Sequence, residues 1–283
     1  MTRRIDSHQH FWRYVPENYG WIGDTMAGLR RDFLPSDLET EIRAVGIEGA
    51  VSVQVRQSLE ETSWLLALAE QWALLEGVVG WLPLADVDFP ARLEQFLARP
   101  KLKGLRHIIQ DEPDDQYILR PDFNRGISAL RATQLVYDIL IFERHLPQTI
   151  QFVDRHPQQV FVLDHVGKPR IREGALDPWR HHIAELAKRT NVYCKISGMV
   201  TEANWQTWSP ENLTPYLEIV LEAFGPNRLM MGSDWPVCLL ATTYSRWFEL
   251  VQSMVGRLSA GEQQRILGET ATEVYRLAPG GQL

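Results

Sequence analysis

The sequence has few cysteines, no long apolar run and no excess of positive charge. Its two cysteines, Cys194 and Cys238, fall at predicted strand or strand-end positions and are expected to be small buried thiols in a reducing compartment. No apolar stretch reaches the roughly 18 residues that a membrane-spanning helix needs. A formal net charge of −7 disfavours a nucleic-acid or anionic-membrane partner. Residues 1–4 lack the apolar core of a signal peptide, so a cytoplasmic location is expected.

A Gly-x-Gly-x-x-Gly turn is also missing, which disfavours a doubly wound dinucleotide-binding sheet. Instead, short apolar runs alternate with amphipathic stretches. The runs are rich in Val, Ile and Leu and mostly lack polar alternation, as in strands that are buried on both faces. They lie at Ile5–His10, Ala50–Val55, Val78–Leu82, Gly104–Ile109, Leu135–Ile141, Val160–His165, Val192–Ile196 and Leu229–Ser233. Eight strands, each followed by a helix, predict a (β/α)8 TIM barrel as a single domain over residues 1–283.

Helix-start signals and two long loops support this organisation. Predicted helix starts lie at the capping boxes of residues 36–39 and 259–262, and at Asp177-Pro178 and Ser209-Pro210. Residues 12–34 and 111–120 are too long for tight strand-to-helix turns. Both loops are expected to lie over the mouth of the barrel.

The first strand carries a His-x-His pair, His8 and His10. Alternate side chains on a strand point to the same face, so both imidazoles should face one side. Buried ring nitrogens need partners, and a pair of them indicates a polar site. The alternative is a strand end with two partly exposed histidines.

Polar side chains follow most of the other strands. In such a barrel the carboxyl ends of the strands meet at one face, where active sites lie. The residues delivered there are Gln54 and Arg56, Arg106 and His107, Tyr137 and Asp138, Asp164 and His165, Lys195 and Ser197, and Ser233 and Asp234. Burying so many polar groups without a function would be costly.

These residues resemble the amidohydrolase superfamily, and within it the sugar-lactonase branch. The matching motifs are Asp-Ser-His-Gln-His-Phe-Trp at 6–12, Gly-Leu-Arg-His at 104–107, Leu-Asp-His-Val-Gly-Lys-Pro at 163–169, Lys-Ile-Ser-Gly at 195–198 and Gly-Ser-Asp-Trp-Pro-Val-Cys at 232–238. The likeness covers nearly the whole chain. It implies an enzyme that hydrolyses a sugar lactone, L-fuconolactone or a related aldonolactone, to the aldonic acid.

The resemblance also implies roles for individual residues. Asp234 would be the general base that takes a proton from water, and His8, His10 and His165 occupy positions that bind a divalent metal in many members. Where binuclear members carry a bridging lysine or glutamate, this chain has Arg106. A two-metal site is therefore not expected, and the sugar-lactonase branch implies that no metal is required.

The chemistry of arginine agrees with that interpretation. A guanidinium is always cationic and would repel a neighbouring dication, but its donors can stabilise the oxyanion that develops on an ester carbonyl. Arg106, with His8, His10 or His165, could therefore polarise a lactone carbonyl without an ion. The main alternative is a mononuclear zinc hydrolase or decarboxylase, with His8, His10, His165 and Asp234 as ligands. A non-catalytic ligand-binding barrel is a third hypothesis.

Each residue also has a structural interpretation. Asp234 could cap the helix after the eighth strand. His165 could be a core histidine bonded to Asp164, and Arg106 could form a structural ion pair with an acidic residue such as Asp138.

Residues beside these positions are predicted to bind substrate. Polar contacts are assigned to Gln54, Arg56 and His107, and pocket walls to Trp12, Trp81 and Trp235. On a regular strand His107 points away from Arg106, so only one of the two is expected to touch substrate. The expected partner is a small-molecule sugar lactone. The sequence does not set the oligomeric state, so association with a second copy of the chain remains an alternative.

Overall fold

Eight parallel strands pair in chain order in the computed structural model, which describes residues 3–277. The strands are β1 Ile5–Gln9, β2 Gly49–Val53, β3 Leu75–Gly80, β4 Leu102–Ile108, β5 Val136–Leu140, β6 Phe161–Leu163, β7 Val192–Ile196 and β8 Leu229–Met231. The two edge strands meet through backbone hydrogen bonds from His10 N to Trp235 O (2.7 Å) and from Asp234 N to His8 O (2.8 Å). The predicted (β/α)8 barrel is confirmed.

The observed strands differ from the predicted ones mainly at their ends. β6 and β8 each end two residues earlier than the apolar pattern indicates. His165 and Asp234 therefore lie in the turns after the strands, where the backbone is free of the strand geometry. β3 begins three residues earlier than predicted, at Leu75, because Glu76 and Gly77 interrupt the apolar pattern although both belong to the strand. Gly77 pairs with Val51 in β2, and Glu76 lies at an irregularity in the register.

Helices follow the strands and cover the outside of the sheet. They are α1 Pro35–Ala44, α2 Leu59–Gln71, α3 Phe89–Leu97, α4 Pro121–Leu130, α5 Leu146–Arg155, α6 Trp179–Ala187, α7 Met199–Glu202, α8 Pro210–Phe224, α9 Tyr244–Val255, α10 Ala260–Gln264 and α11 Thr270–Val274, with a π-helical turn at Arg265–Glu269. Within residues 3–277, the helices are too short or too polar to cross a membrane.

Two of the four predicted helix starts are confirmed. Ser259 caps α10 with Glu262 as its reciprocal partner, and Pro210 opens α8 after Ser209. The other two are wrong. α1 begins at Pro35, where the ring presets the helical φ, and the Leu34 N–H donates to the Asp37 carboxylate (2.8 Å). α6 begins one residue late, at Trp179.

The apolar core has two layers. The larger layer lies between the sheet and the surrounding helices and includes the buried free thiols of Cys194 and Cys238. A smaller cluster fills the inside of the barrel, where α11 packs against it; its members include Val51, Val79, Val136, Val162 and Met230. The end of the barrel interior that α11 covers is therefore apolar, and the buried polar side chains lie towards the other end, at the carboxyl ends of the strands.

Both long loops contribute to the barrel mouth, as predicted. The ends of the first loop are pinned by reciprocal backbone hydrogen bonds between Trp12 and Phe33 (3.0 and 2.9 Å). Between these residues the chain brings Trp21 to the cavity that opens at the mouth, and the loop after β4 contributes Gln110 and Asp111.

Candidate active site

A cavity of about 350 Å³ opens at the carboxyl ends of the strands. Four of the five predicted catalytic residues line it: His10, Arg106, His165 and Asp234. The fifth, His8, is fully buried beneath them, with its Nε2 3.5 Å from Arg106 Nη1. The ends of β1, β4, β6 and β8 therefore meet around one cavity.

His10 is oriented by a backbone carbonyl. Its Nδ1 lies 2.7 Å from Val53 O, and because a carbonyl only accepts, Nδ1 carries a proton. Its Nε2 lies 3.1 Å from His8 Nε2 and 3.2 Å from Asp234 Oδ1. A neutral His10 would turn its Nε2 lone pair towards the carboxylate. The contact with Asp234 therefore requires either a second proton on this ring or a cation between the two groups.

A network of buried ion pairs lies behind the cavity. Arg106 Nη1 donates to Asp164 Oδ2 (2.9 Å), and its Nη2 donates to the backbone carbonyl of Gln54. Lys195 Nζ lies 3.0 Å from Asp164 Oδ1 and 2.5 Å from Asp138 Oδ2. Fully buried charges are retained only when they are paired in this way.

Arg106 forms a buried ion pair with an acidic residue, as one interpretation predicted, but Asp138, the example given there, is not the partner. The carboxylate of Asp138 accepts from Lys195 and from the Tyr275 hydroxyl (2.9 Å), which reaches it from the chain after α11. Asp138 is thus paired with Lys195 and not with Arg106. The guanidinium pairs with Asp164 instead.

The residues present fit one tetrahedral metal ion. The nitrogens of His8 and His10 and a carboxylate oxygen of Asp234 are separated by 3.1, 3.2 and 3.8 Å. Ligands about 2.0–2.1 Å from a tetrahedral zinc ion lie at similar mutual separations. A second cluster, made of His8, Asp164 and His165, is less suited because the Asp164 carboxylate already pairs with two buried cations.

The pKa values favour a charged Asp234 beside neutral His8 and His165. Burial raises the pKa of Asp234, but His165 and the hydrogen bond to His10 outweigh it and hold that pKa below its ordinary value. Burial lowers the pKa of His165 to about 4. Burial and the neighbouring Lys195 place the pKa of His8 well below the ordinary range. At neutral pH Asp234 is a carboxylate while His8 and His165 are uncharged.

Two turns at the mouth have left-handed backbone geometry. After β6, φ is +54° at His165, +48° at Val166 and +48° at Lys168, and after β8 it is +57° at Asp234. Such values are unfavourable for a β-branched residue and persist where packing enforces them, often at functional sites. A Cβ at Gly198 would lie 2.5 Å from His165 Nδ1, so only glycine admits this imidazole.

The structural interpretations of Asp234 and His165 do not hold. The helix after β8, α9, is capped by the Thr243 side chain, and the Asp234 carboxylate faces His10. The His165 Nδ1 bonds to Ser197 Oγ (2.9 Å) rather than to Asp164, and the ring lines the cavity.

The six predicted substrate-binding residues do not line this cavity. Trp12 and Trp235 are buried against Phe33, with ring centroids 5.1 and 5.3 Å away, because large indoles are more stable in the core beneath the loop. Gln54 Nε2 donates to the Arg106 carbonyl (3.1 Å) and so supports the guanidinium from behind. Arg56 lies over the ring of Tyr19, 6.0 Å from its centroid.

His107 fastens the loop after β4. Its Nδ1 accepts from Trp81 Nε1 (3.2 Å), its Nε2 donates to Glu112 (2.6 Å), and its ring stacks on Tyr117 at 4.9 Å. Arg106 lines the cavity and His107 does not. That only one of the two touches substrate stays a prediction.

Other side chains that line the cavity had no assigned role. They include Trp21, Phe142, Lys168, Glu202 and Trp205, all in loops or at helix ends. Of these five, Lys168 belongs to a strand-end motif, and a left-handed turn that the sequence does not reveal brings it to the cavity. Phe142 lies two residues after β5, but it is apolar and so does not stand out from the run before it. Trp21, Glu202 and Trp205 lie too far along the chain from a strand end for the apolar pattern to identify them.

The barrel has eight parallel strands, with His8 on its first strand, His10 directly after that strand, and an ionised aspartate after the last. This arrangement defines the class of (β/α)8-barrel enzymes with the active site at the carboxyl ends of the strands. The chain belongs to the amidohydrolase family, whose sequence profile, described as Amidohydrolase, matches residues 5–277.

Relatives over nearly the whole chain support this assignment. A Burkholderia multivorans protein described as an L-fucono-1,5-lactonase is 43% identical, and the match covers 97% of this chain and 96% of that protein. A Burkholderia ambifaria protein of the same description is 37% identical, with 98% and 97% covered. A crystal structure of a Burkholderia multivorans amidohydrolase with bound zinc has a TM-score of 0.95 at 43% identity, covering 98% of this chain and 100% of that one.

Proposed function

We propose that this protein hydrolyses a sugar lactone, L-fucono-1,5-lactone or a closely related aldonolactone, to the aldonic acid. The observation that carries the proposal is a buried, ionised Asp234 on a cavity that it shares with Arg106, His10 and His165. Two relatives described as L-fucono-1,5-lactonases, at 43% and 37% identity over nearly the full chain, support the choice of substrate.

In the proposed reaction Asp234 takes a proton from a water molecule as the water oxygen attacks the lactone carbonyl carbon. A carboxylate with a low pKa is a weak base, but a lactone is a far easier electrophile than an amide. When the tetrahedral intermediate collapses, the bond from the carbonyl carbon to the ring oxygen breaks. The protonated Asp234 then returns its proton to that oxygen, which restores the base and opens the ring.

Arg106 is the proposed source of positive potential for the oxyanion. Its Nη1 and Nη2 are held by Asp164 and by the Gln54 carbonyl, so the guanidinium is fixed before substrate arrives. Its buried Nε has no hydrogen-bond partner among residues 3–277. Donors that are oriented in advance towards a developing charge contribute strongly to catalysis.

A mononuclear zinc enzyme is the second candidate, because His8, His10 and Asp234 have the separations of zinc ligands. When bound there, the ion would polarise the carbonyl and lower the pKa of a coordinated water. The mechanism proposed first requires no metal, since a proton on His10 also satisfies its contact with Asp234.

A single assay series tests both candidates. The purified protein is incubated with aldono-1,4- and 1,5-lactones before and after treatment with a chelator, and its metal content is measured. Hydrolysis of L-fucono-1,5-lactone that survives chelation supports the metal-independent reaction. Loss of activity that stoichiometric zinc restores supports the zinc enzyme. Background rates on every lactone would contradict lactone hydrolysis, and tight lactone binding without turnover would identify a binding protein.

A further inference from the structure

A charged pair lies on the cavity wall beside the proposed catalytic residues. Lys168 follows β6 and Glu202 ends α7 after β7, and both line the cavity together with His165 and Asp234. Lys168 Nζ is 3.8 Å from Glu202 Oε1, and the two side chains are only 17% and 23% exposed. The proposed mechanism gives neither residue a task.

The fold holds Lys168 at this position at some conformational cost. The residue has a φ of +48° at the end of the left-handed turn that also orients His165, and its N–H donates to the His165 carbonyl (2.8 Å). Its ammonium lies 5.4 Å from the ring centroid of Phe142, another wall residue. An ammonium that was needed only for solubility would not require a strained backbone.

Within residues 3–277, the charged head groups of Lys168 and Glu202 form no hydrogen bonds. A distance of 3.8 Å is too long for a hydrogen bond, and neither head group has a hydrogen-bond partner elsewhere in the described chain, residues 3–277. Burial raises the pKa of Glu202, although Lys168 opposes this effect. Half-buried charged groups that lack hydrogen bonds favour the binding of a ligand that can form hydrogen bonds with them.

The surroundings indicate the chemistry of that ligand. Trp205 donates its Nε1 hydrogen to the Thr201 carbonyl (2.9 Å), so its indole meets the cavity with its polar group already satisfied. Aromatic walls pack well against the C–H groups of a sugar ring. An adjacent donor and acceptor can bind its hydroxyl groups.

We propose that Lys168 and Glu202 form a hydroxyl-recognition subsite, in which the ammonium donates to one ring hydroxyl of the lactone and the carboxylate accepts from its neighbour. The subsite selects polyhydroxylated lactones over unsubstituted ones, and this inference rests on the proposed lactone hydrolysis. A site that is built to bond a hydroxyl discriminates against substrates that lack it, because its own polar groups are then left unpaired.

The experiment compares Lys168→Met and Glu202→Gln with the unaltered protein on L-fucono-1,5-lactone and on δ-valerolactone, which carries no hydroxyl group. We expect KM for the sugar lactone to rise about tenfold or more in each variant, with kcat changed less than about threefold. Turnover of δ-valerolactone should be unchanged. If the unaltered protein does not turn over δ-valerolactone, the test is the sugar lactone alone: the proposal requires that the variants raise KM while kcat changes little.

Matched controls separate this role from general damage. Lys188 and Glu185 form an exposed pair on α6 and its C-terminal end, so Lys188→Met and Glu185→Gln should leave both substrates unaffected. Equal losses on both lactones, a loss confined to kcat, or no effect at all would overturn the subsite while leaving lactone hydrolysis intact. Failure of the unaltered protein on every aldonolactone would instead overturn the proposed function, and the subsite with it.

Discussion

His10 and Asp234 face each other across the seam between the first and last strands, with 3.2 Å between Nε2 and Oδ1. Two backbone hydrogen bonds across this seam set the distance: His10 N donates to Trp235 O, and Asp234 N donates to His8 O. Residues 224 positions apart in the chain thus become neighbours through barrel closure. The catalytic proposal depends on this contact.

Replacing Asp234 by asparagine tests the proposed base. Asn keeps the shape of the side chain but cannot accept the proton from water, so we expect kcat to fall by about 10²–10⁴. The measurement is steady-state hydrolysis of L-fucono-1,5-lactone, with thermal unfolding to verify that the variant is folded. Activity within tenfold of the unaltered protein would mean that another group is the base.

Two substitutions at Arg106 separate its charge from its geometry. Arg106→Lys keeps a cation for Asp164 but loses the planar guanidinium, so kcat should fall about 100-fold with a small loss of stability. Arg106→Met leaves the buried Asp164 carboxylate without one of its partners and should lower the free energy of unfolding by about 3–5 kcal/mol. Urea unfolding and kcat are measured on both. Full activity in the lysine variant would exclude a role for the guanidinium geometry.

The pH dependence of stability tests the state of His165. Burial lowers its pKa to about 4, whereas in the unfolded chain it titrates near 6.5, so between these values the unfolded state binds more protons. Relative to His165→Asn, the unaltered protein should therefore lose about 3 kcal/mol of stability as pH falls from 6.5 to 4. The control is His181→Asn, at an exposed histidine. A stability difference between the unaltered protein and His165→Asn that does not change with pH would contradict a neutral His165.

Zinc binding can be tested without reference to activity. Because His8, His10 and Asp234 have the spacing of zinc ligands, added zinc should raise the Tm of the unaltered protein by binding the folded state. His10→Asn and Asp234→Asn should lose this rise, and His181→Asn should keep it. An identical rise in His10→Asn would place the zinc elsewhere.

Much of the site could be predicted from local sequence patterns. The two-residue period of a strand puts His8 and His10 on one face whatever surrounds them. Short apolar runs mark the end of each strand to within about two residues. The polar residues at those ends, Arg106, His165 and Asp234, then follow because the carboxyl ends of parallel strands in a barrel meet at one mouth.

The pocket wall could not be predicted in the same way. Tryptophans near strand ends were expected to face the cavity, yet Trp12 and Trp235 are buried against Phe33. An indole gains stability in any dry environment, so its position near a strand end does not reveal which side of the loop it occupies. Lys168 and Glu202 reach the cavity only because of turns whose geometry depends on their neighbours.

The sequence by itself determined the barrel, the approximate positions of its strands and the types of chemical group that gather at the mouth, because these follow from short periods and from residue chemistry. Only the tertiary structure decided that Arg106 pairs with Asp164, that Lys195 takes Asp138, and which side chains form the cavity wall. The physical reason is that distance and geometry in three dimensions determine which buried charges form ion pairs. The left-handed turns at the mouth likewise depend on packing against distant parts of the chain.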